Sequence, residues 1–421
     1  MALAGGRPQE QLDLFTHVAS VFADAPGPLG NEHLYRLVAA RAGLSDADRD
    51  AAQPIGRSGT PRSVFKRQVR WMQQNLKLRG LIRHVADERG VWEWADPASS
   101  KLLTPLPGAA LVAFSTRLGI AVWSDCRTLF QDLNQPIHLV VTSPPFPLAR
   151  QRLYGNPSET EYVAFLLEAL APLVRHLVPG GSICLDLGQD IFEPGLPSRS
   201  IYLERLVVAL HDRLGLHLID RLVWHNPSKP PGPTRWASIA RNQLNVAWQP
   251  IICLTNDPAK LRADNRRVLE PHTEKHRQLI ERGGEQRTGS YGDGAYTMAP
   301  GRFAHATPGK IPRNVITRGH RCSDTDAYRR DAKALGLPVH GAVMPLSVPD
   351  FLIRFLSEPG DLVADPFGGT AKTGMAAERL QRRWIVAERA LDYLRAAAVR
   401  FSGCEGFEMP DAVERFRGNR S

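Results

Sequence analysis

Cysteine is scarce in this chain of 421 residues: there are five, Cys126, Cys184, Cys253, Cys322 and Cys404, with no CxxC pair and no histidine cluster beside them. That excludes a disulfide framework, offers no structural zinc site and fits a reducing cytoplasm. Long apolar runs are missing as well. The most apolar stretch, residues 162–178, is interrupted by Glu168, Arg175 and His176, well short of the ~20 residues a membrane span needs, so no membrane association is expected. The first ten residues carry Arg7 with no apolar segment behind it, so no secretory signal is expected. Acidic residues are absent from 57–83, where eight are Lys or Arg, and are outnumbered fifteen to seven over 229–318. Two basic zones on a chain of net charge +10 suit a polyanion, because neutralising phosphates releases counterions.

What is present is ordinary globular material, 43% hydrophobic and 23% charged, in a length that suits two to four domains of ~100–200 residues. The first ~100 residues read as a small helical module. Apolar residues recur at helical spacing over 10–23 and 31–42, and a third helix is expected from about Pro61, with Val64, Val69, Met72 and Leu76 near one face. Arg62, Lys66, Arg67 and Arg70 are expected to project from it. Residues 81–94 alternate like a two-stranded hairpin around the turn at Asp87–Gly90. Helices followed by a basic helix and a hairpin resemble a winged-helix DNA-binding domain; a packing or dimerisation module is the alternative. The Pro- and Gly-containing stretch 97–110 reads as a linker, giving domains at 1–96 and 111–421. In the second, short apolar runs at 137–141, 182–187, 218–224, 250–254, 362–364 and 384–387 alternate with helical patterns. That alternation predicts an α/β domain with a mostly parallel sheet covered on both faces. Residues 229–320, rich in Gly, Pro, Arg and aromatics, read as a recognition insertion.

Two strand ends carry chemistry. Thr142-Ser143-Pro144-Pro145-Phe146 follows an apolar strand, and the prolines fix the chain direction and remove donors, leaving carbonyl oxygens and the Ser143 hydroxyl free to accept bonds from an amine. Phe146 adds a flat face for a planar base. The second run, Asp365-Pro366-Phe367-Gly368-Gly369-Thr370-Ala371-Lys372-Thr373-Gly374, is a strand end, a Gly-rich turn and a helix start, and the next strand ends in Glu388, a carboxylate suited to two ribose hydroxyls. It is neither a P-loop, since Ala371 and Pro366 stand where glycines are required, nor a GxGxxG dinucleotide fingerprint.

In this order the motifs resemble the beta class of bacterial DNA amino-methyltransferases, in which the catalytic motif precedes the cofactor motif. The match spans roughly residues 120–400 and includes Asp125, Pro179-Gly180-Gly181, Trp224-His225-Asn226-Pro227 and the segment from His340 to Asp361. The resemblance implies a Rossmann-like sheet in circularly permuted order, S-adenosyl-L-methionine as cofactor and double-stranded DNA as substrate. It assigns catalysis to Ser143, Pro144, Pro145 and Phe146, and cofactor contacts to Asp125, Thr142, Asp365, Phe367, Gly368, Gly369, Thr370, Thr373 and Glu388. Ser at the first motif position is mostly associated with the cytosine N4 amine and Asp with adenine N6, so cytosine is favoured and adenine stays open. The chain departs from the family at Ala371-Lys372, where Gly or Asn and then Thr are usual. No Pro-Cys pair occurs, which excludes thiolate chemistry at cytosine carbon five. A homodimer, a cognate restriction endonuclease and action on DNA in the cytoplasmic nucleoid are further expectations. Arg62, Lys66, Arg67, Arg70 and Lys229 are expected to grip DNA, with Arg235, Arg241 and Asn242 as base readers. An RNA or small-molecule methyltransferase would leave the basic zones unused, and a DNA-binding regulator would not need an intact catalytic run. His225, His272 and His276 are expected to be structural, and no metal is expected.

Overall fold

The computed structural model describes residues 27–410 except 56–59, 79–81, 86–87, 89, 95–103, 106–107, 149–151 and 153–154, together with Val18, Val21, Phe22, Ala25 and Val413. The chain divides into two compact units near residue 101. The expected helix at 10–23 and linker at 97–110 fall largely outside the described residues.

The N-terminal unit runs β1 (Leu29–Gly30), α1 (Asn31–Arg41), α2 (Asp46–Asp50), β2 (Ala52–Ile55), β3 (Thr60–Ser63), α3 (Val64–Leu78), β4 (Ile82–His84) and β5 (Val91–Trp94). Strands β1, β5 and β4 form one sheet in that order, and β2 pairs with β3. The hairpin expected at 81–94 is therefore present as β4 and β5. The basic helix starts at Val64 rather than Pro61, because residues 60–63 are taken up as a strand against β2. Its buried side is Phe65, Val69 and Met72, packed with Leu34, Tyr35, Val38, Ile82 and Trp92.

The second unit runs β6 (Ala110–Ser115), β7 (Gly119–Ser124), α4 (Cys126–Gln131), β8 (Ile137–Thr142), α5 (Tyr162–His176), β9 (Leu177–Asp186), α6 (Tyr202–Leu214), β10 (His217–His225), β11 (Trp248–Thr255), α7 (Glu274–Glu281), β12 (Gly289–Tyr291), β13 (Tyr296–Met298), β14 (Val315–Thr317), α8 (Ser323–Ala334), α9 (Ser347–Leu356), β15 (Leu362–Asp365), α10 (Lys372–Arg379), β16 (Arg383–Glu388) and α11 (Leu391–Ala398). Nine strands form one sheet in the order β14-β10-β11-β9-β8-β15-β16-β7-β6. From β9 to β7 all pairings are parallel, whereas β11 and β6 run against their neighbours. Along β8 side chains from Leu139 to Val141 serve alternate faces, as pleating requires, and a register irregularity between Ile137 and Leu139 puts Ile137 on the face of Val140. Leu139 and Val141 pack with residues of α9, α10 and α11, while Ile137 and Val140 pack with residues of α4, α5 and α6.

From β8 the chain crosses to β9 on one side; later it enters β15 on the other. That divergence opens a crevice beyond the C-terminal ends of β8 and β15, where ligands of doubly wound sheets bind. The expected insertion at 229–320 is not one block. Trp248–Thr255 forms a strand between β9 and β10, and Val315–Thr317 pairs with β10 at the sheet edge. The apolar run at 250–254 is that strand, as its pattern predicts, although it lies inside the stretch read as an insertion. No helix among the described residues is long and apolar enough to cross a membrane.

Candidate active site

A cavity of about 400 Å³ lies at the crevice, and its lining brings together Ser143–Phe146 from the end of β8, Phe367 and Gly369 from the Gly-rich turn, Glu388 from the end of β16, and Asp125 and His340. The two motifs, more than two hundred residues apart in sequence, thus meet around one space.

The turn after β15 is held by Asp365. This buried carboxylate accepts from the Thr142 hydroxyl at 2.6 Å and from the Phe367 amide at 3.0 Å, with the Thr373 side chain acting to lower it. Burial still pushes it up to about 6. Gly368 tolerates no side chain, since a Cβ there would lie 2.0 Å from Val386 Cγ1, and Gly369 adopts a left-handed φ of +51°. The Gly369 amide donates to Glu388 Oε2 at 2.7 Å and the Ala390 amide to Oε1 at 2.7 Å. Each carboxylate oxygen keeps a second lone pair for a ligand hydroxyl. Burial pushes Glu388 up to about 7. A bare backbone cradle, a pre-oriented carboxylate and the Phe367 ring, 5.6 Å from Phe165, fit an adenosine-bearing cofactor.

The threonines expected to touch cofactor do other work. Thr142 donates to Asp365, and Thr373 donates to the Val141 carbonyl at 3.2 Å. Thr370 is buried, its carbonyl accepting from Arg400. None of the three lines the cavity, and Asp365 and Gly368 shape it from behind. Asp125 does line it, capping α4 through the Arg127 amide at 3.0 Å and pairing with the Arg127 guanidinium. Burial acts to raise its carboxyl, but those Arg127 contacts hold it below its usual value.

Lys372, electrostatically misplaced at a helix start, has a structural answer. It is buried and pairs with Asp324 of α8, and it donates to the Thr325 hydroxyl at 2.8 Å. Arg400 reaches the same carboxylate at 2.6 Å. Burial would raise Asp324, and the two cations more than offset it. An ion cluster therefore braces the turn where the family usually carries threonine.

Around Ser143 the structure adds residues that sequence reasoning missed. Asp186, the last residue of β9, is buried beside the Ser143 side chain, and its Oδ1 has no partner. Burial pushes Asp186 up to about 7 against the lowering by Ser143 and Lys229. Gly188 leaves room for the Phe146 ring, which a Cβ would approach to 2.9 Å. His340, packed edge-on against Tyr393, is pulled down to about 4 by burial and stays neutral at physiological pH. Only the strand-end position of Asp186 could have suggested it.

The DNA candidates divide. Arg62 and Arg67 are exposed. Lys66 does not project freely: it pairs with Glu32 at 3.1 Å and Asp50 at 3.0 Å, because α1 and α2 pack beside it. Arg70 is exposed but donates to the Tyr35 hydroxyl at 2.6 Å. Lys229 pairs with Asp190 at 3.5 Å. Arg235, lying 4.5 Å over the Trp236 ring, Arg241 and Asn242 are exposed. No group of three metal-ligating side chains occurs among the described residues. His272 bonds Thr307, a structural role.

Comparison with known proteins completes the picture. A DNA methylase family model matches residues 137–399. Type II methyltransferase M.PvuII of Proteus hauseri is 33% identical over 294 residues, covering 69% of this chain and 85% of that protein. Type II methyltransferase M.BglII of Bacillus subtilis is 24% identical over 281 residues, covering 66% and 68%. A solved structure of the PvuII DNA methyltransferase, described as cytosine-N4-specific, superposes with a TM-score of 0.54 at 30% identity, over 69% of this chain and 88% of that one.

Proposed function

Given that this chain belongs to the DNA methylase family whose members modify N6 or N4 amines with S-adenosyl-L-methionine as methyl donor, we propose that its target is the N4 amine of cytosine, on a base drawn out of duplex DNA. The observation that carries this is the cavity itself, with Ser143 and Phe146 on one side and Glu388 and Gly369 on the other. Ser rather than Asp at the first motif position, and the cytosine-N4 description of the similar PvuII enzyme, support cytosine over adenine.

S-adenosyl-L-methionine, when bound, supplies an electrophilic methyl group. The chain's own residues do the rest. An exocyclic amine is a poor nucleophile because its lone pair is delocalised into the ring. Ser143 Oγ and the Pro144 carbonyl accept its N–H bonds and draw the nitrogen toward a tetrahedral geometry, while Phe146 holds the ring by its face. As the nitrogen gains a methyl group it must lose a proton. Asp186, buried beside Ser143 and pushed up to about 7, is suited to receive it through the Ser143 hydroxyl. Glu388 orients the cofactor by its ribose, and Asp365 keeps the turn in place. Taking the base from the stack costs roughly a few kcal/mol, which backbone contacts offset. Arg62 and Arg67 of the N-terminal unit are read as phosphate contacts, and Arg235, Arg241 and Asn242 as base readers. A homodimer and a cognate endonuclease, as in type II systems, belong to the same reading.

Mass spectrometry of nucleosides from duplex DNA incubated with the protein and S-adenosyl-L-methionine tests it. N4-methylcytosine is expected; N6-methyladenine would correct the base, and 5-methylcytosine alone, or no methylated nucleoside, would overturn the mechanism.

A further inference from the structure

The segment between β10 and β11 combines order with exposed apolar side chains. β8 and β9 are parallel, β9 and β11 antiparallel, and β11 and β10 antiparallel. The end of β10 and the start of β11 therefore lie at the same sheet edge as Ser143. The segment is tied to itself by Asn226 N to the Ala247 carbonyl at 2.8 Å, Val246 N to Gly232 at 2.8 Å, Ala237 N to Pro233 at 2.8 Å and Asn242 N to Trp236 at 3.0 Å. It is tied to the loop after β9 by Gln243 Nε2 to the Pro197 carbonyl at 3.1 Å. On this braced scaffold Leu244 is 87% exposed and Ile239 75%. Arg241 and Asn242, both exposed, stand between them, Arg241 with a left-handed φ of 57°.

A single exposed aliphatic residue is unremarkable. Two, on a loop whose backbone bonds prevent collapse, beside exposed cations and at the catalytic edge, are a different matter. The apolar tip suits the interior of a base stack, and the flanking charge suits phosphates. We propose that Leu244 enters the duplex at the place the target base leaves, with Ile239 beside it and Arg241 on the backbone. This rests on the reading that the base leaves the helix.

The test uses the full chain and a duplex carrying its mapped site, with a fluorescent cytosine analogue, pyrrolo-cytosine, at the target position. Wild-type protein should brighten the analogue. Leu244→Ala should brighten it several-fold less and turn over roughly 10- to 100-fold more slowly on the matched duplex. On a duplex with a mismatch opposite the target base, already partly unpaired, its rate should return to within about threefold of wild type. Equal brightening and equal turnover by Leu244→Ala would overturn the proposal. So would a loss that the mismatch does not rescue, above all if sedimentation shows the variant has lost self-association, which would make Leu244 part of an interface between copies. If wild type neither brightens the analogue nor speeds on the mismatch, the extrusion reading falls, and the wedge with it.

Discussion

On the cofactor side of the cavity the carboxylates have partners before any ligand arrives: Asp365 takes the Thr142 hydroxyl and the Phe367 amide, and Glu388 two backbone amides at 2.7 Å. On the base side Asp186 is just as deeply placed and keeps Oδ1 without a partner. The contrast separates two tasks. A site that must hold the methyl donor in one fixed pose while the methyl group is transferred gains from rigid, satisfied groups that need no reorganisation. A site where a proton must move gains from an acceptor left unsatisfied until the substrate completes it, although burying such a group costs stability.

The comparison breaks first at Ser143. Ser143→Ala removes a bond made mainly in the transition state, so steady-state kinetics should show turnover lower by ~10²- to 10³-fold with cofactor binding unchanged. A comparable loss of cofactor affinity would mean the two sides are not separate.

Asp186→Asn comes next. In wild type, turnover should rise as pH rises through about 7, because only the ionised carboxylate can accept a proton. The variant should lose that limb and fall by roughly 100-fold, at the low end for a positioned proton acceptor. Stability should move the other way. Asp186 and Glu388 hold protons in the folded chain up to about pH 7, whereas their ordinary values are 3.8 and 4.5. The folded state therefore binds more protons across that window, and stability falls as pH rises from about 4 to about 7, then levels. Thermal melts of Asp186→Asn should show a shallower fall; an unchanged slope would mean Asp186 titrates normally.

Legibility in the sequence followed the same division. The catalytic run and the Gly-rich turn announce themselves because Pro and Gly punctuate strand ends, and the alternation of short apolar runs with helical patterns is enough to predict the parallel sheet. Partnerships made by folding were hidden. Nothing local links Ser143 to Asp186, Phe146 to Gly188, or Lys372 to Asp324. The family resemblance put Thr142, Thr370 and Thr373 beside the cofactor without showing that all three are buried. Lys66 read as a free cation because its partners, Glu32 and Asp50, come from other helices. The run at 250–254 was legible as a strand, but the insertion read over 229–320 includes it, because the sequence on either side carries no periodicity.

The smallest effect concerns the N-terminal unit, where Arg62 and Arg67 stay exposed while Lys66 is paired. Arg62→Ala with Arg67→Ala should lower the log–log salt slope of DNA binding by about 0.9 per lost phosphate contact and leave the methylated sequence unchanged. An unchanged slope in filter-binding titrations would assign β3, which carries Arg62, and α3, which carries Arg67, to packing rather than to DNA.

Titration calorimetry of S-adenosyl-L-methionine into wild type, Glu388→Ala and Ser143→Ala tests the division of the cavity directly. Glu388→Ala should bind the cofactor more weakly by about 1.5–3 kcal/mol, the worth of hydrogen bonds to a charged acceptor, and Ser143→Ala should match wild type. Full affinity in Glu388→Ala, or a matching loss in Ser143→Ala, would contradict it.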